Sequence, residues 1–175
     1  MPMPPIDIKR VQPNDAARLL ELSRSTFFDA FAHLNNPADM EAFAANAFTL
    51  PSFEAQLNNP DSHFYYAMVG GQPAGYIKLN YNLAQTEFKD ADALEVERIY
   101  VLTAYQGQQI GKQLIDFAIQ TAIDANFSYI WLGVWEHNAG AIRFYESKGF
   151  SIFGKHTFML GSDEQTDLLM RKELN

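Results

Sequence analysis

Cysteine is absent from the chain, and that absence alone excludes disulfides, thiolate zinc sites and cysteine nucleophiles. Long apolar stretches are missing too: none approaches the roughly 18 uninterrupted residues that a membrane-spanning helix needs. The opening "MPMPPIDIKR" lacks the basic and apolar blocks of a signal peptide, so a cytoplasmic chain with no membrane association is expected. Basic residues are scarce, with 13 Lys and Arg against 21 Asp and Glu, which gives a formal net charge of -8. Such a field repels nucleic-acid backbones and anionic surfaces and draws in small cations, so nucleic acid is not an expected partner. His33, His63, His137 and His156 are scattered without ligand spacing, and no metal site is expected.

What is present suits one packed domain over residues 1–175, with 47% hydrophobic and 19% charged residues. "IDIKRV" alternates as a half-buried strand, and "PNDAARLLELSRSTFFDAF" follows as a helix with Asn14 or Asp15 as its N-cap. "NPADMEAFAANAF" and "LPSFEAQL" read as two further helices, and "HFYYAMVGGQPAGYIKLNY" reads as a hairpin turning at Gly70 and Gly71. "LEVERIYV" is a strand. Helical spacing of Ile110, Leu114, Phe117, Ala118 and Ala122 then predicts a helix over residues 107–125, before the apolar strand "YIWLGVW". This strand, helix, strand order makes "LEVERIYV" and "YIWLGVW" parallel. "NAGAIRFYESKGF" forms a shorter helix capped by Gly149, and "FSIFGKHTFML" and "TDLLMRKEL" supply the last strands.

The joint "YQGQQIGKQLI" carries the chemistry. A helix that opens directly from a strand presents free N–H groups and a positive dipole end, which together favour an anion. Gly107 and Gly111 allow a sharp turn and close approach, Gln106, Gln108 and Gln109 add amide donors, and Lys112 adds a charge. A Walker loop is excluded because Gln113, and not Ser or Thr, follows Lys112; a dinucleotide fingerprint is excluded because its third glycine is missing.

With "N-x-x-A-x-x-F-Y-x-x-x-G-F" present as Asn138, Ala141, Phe144, Tyr145, Gly149 and Phe150, the stretch from Tyr65 to Leu174 resembles the GNAT superfamily of acyl-CoA-dependent N-acyltransferases. The family loop, Gln/Arg-x-x-Gly-x-Gly/Ala, falls on Gln106, Gln109 and Gly111, so Gln109 stands where the family has a glycine. The resemblance implies an α/β (α+β) fold: a mixed central sheet of about six to seven strands with helices on both faces, and parallel strands splayed at the CoA site. It implies acetyl-CoA as co-substrate, with pyrophosphate on residues 106–112 (Ile110 included) and pantetheine along the backbone of Ile99, Tyr100 and Val101. Asn138 and Tyr145, seven residues apart, are expected to face the gap between the parallel strands.

Acetyl transfer needs a neutral amine, a stabilised oxyanion and a proton for the thiolate. Tyr145 is the expected general acid or hydrogen-bond donor to the sulfur, and backbone N–H groups near Ile99 to Val101 the oxyanion donors. Glu97 is the expected base, with Glu95 as alternative base or cation anchor; an ion pair of Glu97 with Arg98 is the competing reading. The N-terminal half, "STFFDAFAHLNNPADMEAFAANAF" onward, resembles the PaiA-type polyamine N-acetyltransferases, which act on spermidine and spermine. That resemblance implies a polyamine substrate, with Phe27, Phe28 and His33 as pocket wall and room for a homodimer. Acetylation of another amine, or a non-catalytic CoA-sensing module, are the alternatives.

Overall fold

The computed structural model describes residues 6–174. Strands β1 (Asp7–Arg10), β2 (Ser62–Val69), β3 (Gln72–Asn80), β4 (Ala93–Val101), β5 (Tyr129–Trp135), β6 (Ser151–Leu160) and β7 (Asp163–Glu173) form one sheet in the order β1-β2-β3-β4-β5-β7-β6. The helices are α1 (Ala16–Phe31), α2 (Pro37–Ala47), α3 (Leu50–Asn58), α4 (Ile110–Asp124) and α5 (Ala139–Ser147). Among the described residues no helix is long and apolar enough to cross a membrane.

The sheet is covered on both faces. Ile110, Leu114, Ile115, Ala118 and Ala122 are the buried stripe of α4, packed with Ile77, Leu94, Ile130 and Leu132 of the strands. On the other face Leu19 and Leu22 of α1, and Phe53 and Leu57 of α3, meet Phe64, Tyr66 and Tyr76. Each such side chain contributes about 1.5–3 kcal/mol by leaving water, so this two-sided burial fixes which way every strand residue points. The β2–β3 hairpin turns on Gly70 and Gly71 with φ of 57° and 81°, as a tight turn of that length demands.

Two local irregularities open the sheet. β4 pairs in parallel with β5 only from Ala93↔Tyr129 to Val96↔Leu132. Against β3 the register slips between Lys78↔Arg98 and Leu79↔Val96, so Glu97 is the extra residue of a bulge, which bends β4. β5 meanwhile stays paired with β7 as far as Trp135↔Asp167. The parallel strands therefore part beyond Val96 and Leu132, the splay that the resemblance implied.

Two details differ from the sequence-based expectation, and a third, for which the sequence carries no expectation, bears on the site. Helix α4 starts at Ile110 and not at Gly107, because Gln109 adopts the left-handed conformation at φ 62°, ψ 23° and breaks the helical path. Asp15 does sit at the N-cap of α1, but its carboxylate accepts a hydrogen bond from the Tyr66 hydroxyl at 2.9 Å and does not cap the helix. β7 inserts between β5 and β6, which brings Asp167 beside β5.

Gln109 makes a testable strain. A non-glycine residue in this conformation costs about 1–2 kcal/mol, partly offset by the greater unfolded-state entropy of glycine. Gln109→Gly is thus expected to raise stability by about 0.5–1 kcal/mol. Urea denaturation checks this; an unchanged or lower midpoint would contradict the strain.

Candidate active site

The joint between β4 and α4 forms an open cradle of backbone N–H groups, of the kind that suits an anion. Among the described residues none of the N–H groups from Gly107 to Lys112 meets a backbone carbonyl, and the first bond of the helix is Gln113 N–H to the Gln109 carbonyl at 3.2 Å. A Cβ placed on Gly107 or Gly111 would meet no atom within 4 Å, so the space over both is open. The Gln106 side chain donates to the Val101 carbonyl at 3.2 Å and pins the joint to the end of β4. Lys112 pairs with Asp116 at 3.0 Å, and the Asp116 carboxylate also binds Lys148 at 2.7 Å. Gln108 lies outside the cleft lining, whereas Gln106, Gly107, Gln109, Ile110, Gly111 and Lys112 belong to it.

From the cradle a cleft of about 640 Å³ runs through the splay, lined by Ile99, Tyr100 and Val101 on one side and Val134 and Trp135 on the other. Residues 97–101 of β4 have no strand partner on the β5 side. Tyr145 reaches the cleft from α5, only 8% exposed. Its ring packs between Phe144 and Phe150 at centroid distances of 5.3 and 5.9 Å, and no hydrogen bond to its hydroxyl occurs among the described residues. Burial pushes its pKa well above that of a free tyrosine, so the phenol stays protonated and acts as an O–H donor more readily than as a source of a free proton. Asn138 also borders the cleft, but its Oδ1 accepts from Ala141 N–H at 3.1 Å as the N-cap of α5, leaving its NH₂ as the group that can face a ligand.

Glu97 requires correction. Its carboxylate binds Lys78 at 2.8 Å and Arg98 at 3.0 Å and accepts from Asn80 Nδ2 at 2.8 Å. Burial alone would raise its pKa, but Arg98 and Lys78 overcome that and bring it down to about 2. A carboxylate held so firmly ionised is a poor proton acceptor at neutral pH, and the geometry favours the ion-pair reading over the base. Glu95 is corrected as well. It is 2% exposed, lines neither cavity, and spends both oxygens on the Thr86 N–H, the Thr86 hydroxyl and Asn80 Nδ2, tying the loop after β3 to β4.

A second cavity, about 270 Å³, lies between α1, α2 and the splayed ends of the strands. Phe27 and Phe31 of α1, Phe43 of α2 and Phe48 form one wall, with Phe27 stacked on Phe43 at 5.0 Å. Tyr100 and Trp135 line the opposite side, and Phe31 meets the Trp135 ring edge-on at 5.7 Å. Trp135 Nε1 donates to Gln165 Oε1 at 2.6 Å, and Gln165 Nε2 to Asn35 Oδ1 at 3.2 Å, so β5, β7 and the α1–α2 turn are linked over the cavity. Of the expected wall residues Phe27 is in place. Phe28 points a helix face away, stacked under Arg24 at 4.6 Å, and His33 is exposed in the turn after α1, so both lie outside the lining. Sequence reasoning missed Asp167, the other carboxylate of this cavity. The two cavities share Phe31, Glu97, Arg98, Tyr100, Gly133 and Trp135 in their linings, so they lie side by side at the splay.

A mixed sheet whose parallel strands splay beside the open start of α4, with a buried tyrosine across the gap, is the arrangement that the resemblance to acyl-CoA-dependent transferases implies. Residues 18–150 match the model of the acetyltransferase (GNAT) family, and the chain belongs to that family. It is 40% identical over 169 residues to an uncharacterized N-acetyltransferase of Lactobacillus delbrueckii subsp. lactis, covering 97% of this chain and 98% of the relative. An aminoalkylphosphonate N-acetyltransferase of Salmonella typhimurium is 30% identical over 118 residues, 67% of this chain and 71% of the relative. In fold the chain is similar to the PaiA N-acetyltransferase of Thermoplasma acidophilum in complex with coenzyme A, at TM-score 0.79 and 21% identity, covering 97% and 99% of the two chains. The chain is an N-acetyltransferase and its acyl donor is acetyl-CoA. The open space over Gly107 and Gly111 and their unpaired amides fit the pyrophosphate of that donor.

Proposed function

We propose that the chain acetylates a small amine that enters the aromatic cavity with its ammonium leading. The observation that carries this reading is the meeting of the two cavities at Glu97–Tyr100, Gly133 and Trp135: a thioester laid in the splay has its carbonyl where an amine in the second cavity can reach it. The β4 amides that lack a partner on the β5 side supply oxyanion donors, and Tyr145 supplies an O–H for the departing sulfur.

The finer reading is a polyamine acceptor, supported by the net charge of -8 and by ring faces that attract ammonium groups. One observation favours a monoamine with an aromatic or alkyl body as second reading. Lys78 and Arg98 offset Glu97, which leaves Asp167 as the one cavity carboxylate without a Lys or Arg partner among the described residues. Thiol release from acetyl-CoA, measured against spermidine, spermine, arylalkylamines, amino acids and aminoalkylphosphonates, tests both. Highest kcat/KM for spermidine or spermine supports the polyamine; highest kcat/KM for an arylalkylamine supports the monoamine. Tight CoA binding with no thiol release on any amine would contradict the enzyme and favour a CoA-sensing module.

A further inference from the structure

Glu97 leaves a chemical gap, because an alkylammonium must lose a proton before it can attack a thioester. The acceptor cavity contains one other carboxylate, Asp167 on β7. A Cβ on Gly133 would lie 3.4 Å from Asp167 Oδ2 and 3.8 Å from His156 Cε1, so the glycine leaves this pair uncovered toward the splay. His156 faces Asp167 directly across the β6–β7 ladder. Its Nε2 stands 3.7 Å from Asp167 Oδ2, and its Nδ1 stands 3.5 Å from Glu87 Oε1. These are ion-pair separations, and the buried Nδ1 has no hydrogen-bond partner. Glu87, in the loop between β3 and β4, keeps 35% of its side chain exposed, so the file Asp167, His156, Glu87 leads from the cavity to the surface.

Resting on the acetyl-transfer reading above, we infer that Asp167 is the catalytic base for the acceptor ammonium and that His156 and Glu87 pass its proton to solvent. The ammonium gives one proton to the Asp167 carboxylate, and the freed lone pair forms the C–N bond to the thioester carbon. Collapse of the tetrahedral adduct breaks the C–S bond; the second nitrogen-bound proton ends on the sulfur, which the Tyr145 O–H steadies. Asp167 hands its proton to the Nε2 lone pair of His156, the imidazole passes the one on Nδ1 to Glu87, and the part-exposed Glu87 carboxylate releases it to water. Each turnover thus yields one amide, one thiol and one proton in solution.

Electrostatics agree with that role. Burial raises the Asp167 pKa above that of a free aspartate, while His156 opposes the rise. The charged or titratable groups around it are His156 from β6, Glu87 from the loop, and Glu97, Arg98 and Tyr100 from β4. The base works deprotonated, so kcat/KM rises with pH through the Asp167 pKa. Replacing His156 removes that opposing influence and moves this acid limb to higher pH.

The test compares Asp167→Asn and His156→Gln with the wild type across pH, using the amine the wild type turns over best. Expected are a loss in kcat/KM of about 100- to 1000-fold for Asp167→Asn, with CoA affinity unchanged and the acid limb flattened. For His156→Gln the expectation is an acid limb displaced upward. Asp167→Asn activity within about threefold of wild type overturns the proposal, since general-base catalysis accounts for at least about 100-fold. Should Asp167→Asn lose CoA binding as well, the His156→Gln profile decides alone, and an unmoved limb overturns the relay. A wild type inert toward every amine sinks the acetyl-transfer reading together with this one, whereas an active wild type beside an equally active Asp167→Asn sinks only the base.

Discussion

Gly111→Glu is expected to weaken CoA binding by more than about 100-fold while leaving the fold intact. Gly111 lies in the first turn of α4 with an ordinary helical backbone, and nothing stands within 4 Å of the Cβ it would gain. A carboxylate there is favourable in the empty protein, because an acid at a helix N-terminus is stabilising by about 0.3–1 kcal/mol. Once pyrophosphate approaches, the same carboxylate repels it and occupies its place. Two lost charge-assisted hydrogen bonds, at about 1.5–3 kcal/mol each, suffice for the stated loss. Calorimetric titration with CoA, paired with a melting curve, separates the outcomes. An unchanged melting temperature with lost binding is the result expected; unchanged affinity would remove the anion cradle from the account.

Tyr145→Phe carries the second large effect. The phenyl ring keeps the contacts with Phe144 and Phe150, so packing and CoA affinity are expected to change little. What disappears is the one O–H that, on the function proposed above, meets the developing thiolate: a hydrogen bond to a charged group of about 1.5–3 kcal/mol, which corresponds to a fall in kcat of about 10- to 100-fold. Because burial holds the tyrosine pKa far up, the hydroxyl does not ionise in the working range, and the mutation should lower the whole pH profile without erasing a limb. Steady-state kinetics with saturating acetyl-CoA measures this. A variant with wild-type kcat would take Tyr145 out of the mechanism.

Much of the architecture was legible because two-sided burial imposes clean periods. The α4 stripe Ile110, Leu114, Ala118, Ala122 and the apolar run of β5 announced a parallel crossover, and the Gly149 turn, at φ 95°, closed α5 as expected. The conformation of Gln109 was not legible from composition, since a glutamine gives no local sign of a positive φ; only the match to a glycine in the family loop marked the position. The aromatic cavity was harder still. Phe27 and Phe28 are adjacent in sequence but sit on different faces of α1, and only the packed partner, Phe43 for one and Arg24 for the other, separates wall from surface. Glu97 and Glu95 share the spacing of one strand face, yet the bulge at Glu97 swings its neighbour Arg98 alongside it and turns a candidate base into half of an ion pair. A usable sign was Lys78, a lysine within an apolar strand that is only 5% exposed and so requires a buried counter-ion. Asp167 reads locally as a polar residue at the start of "TDLLMRKEL". It becomes part of the site only because β7 crosses back between β5 and β6, a non-local pairing that no short window contains.

On the proposed reading the donor enters over the start of α4 and threads the splay, so that its sulfur ends beneath the Tyr145 hydroxyl. A crystal structure of the complex with CoA tests it most directly. Pyrophosphate oxygens are expected within hydrogen-bond distance of the amides between Gly107 and Lys112, and the CoA sulfur within hydrogen-bond reach of the Tyr145 oxygen. A pyrophosphate bound elsewhere, or a Tyr145 hydroxyl turned away from the sulfur, would contradict it.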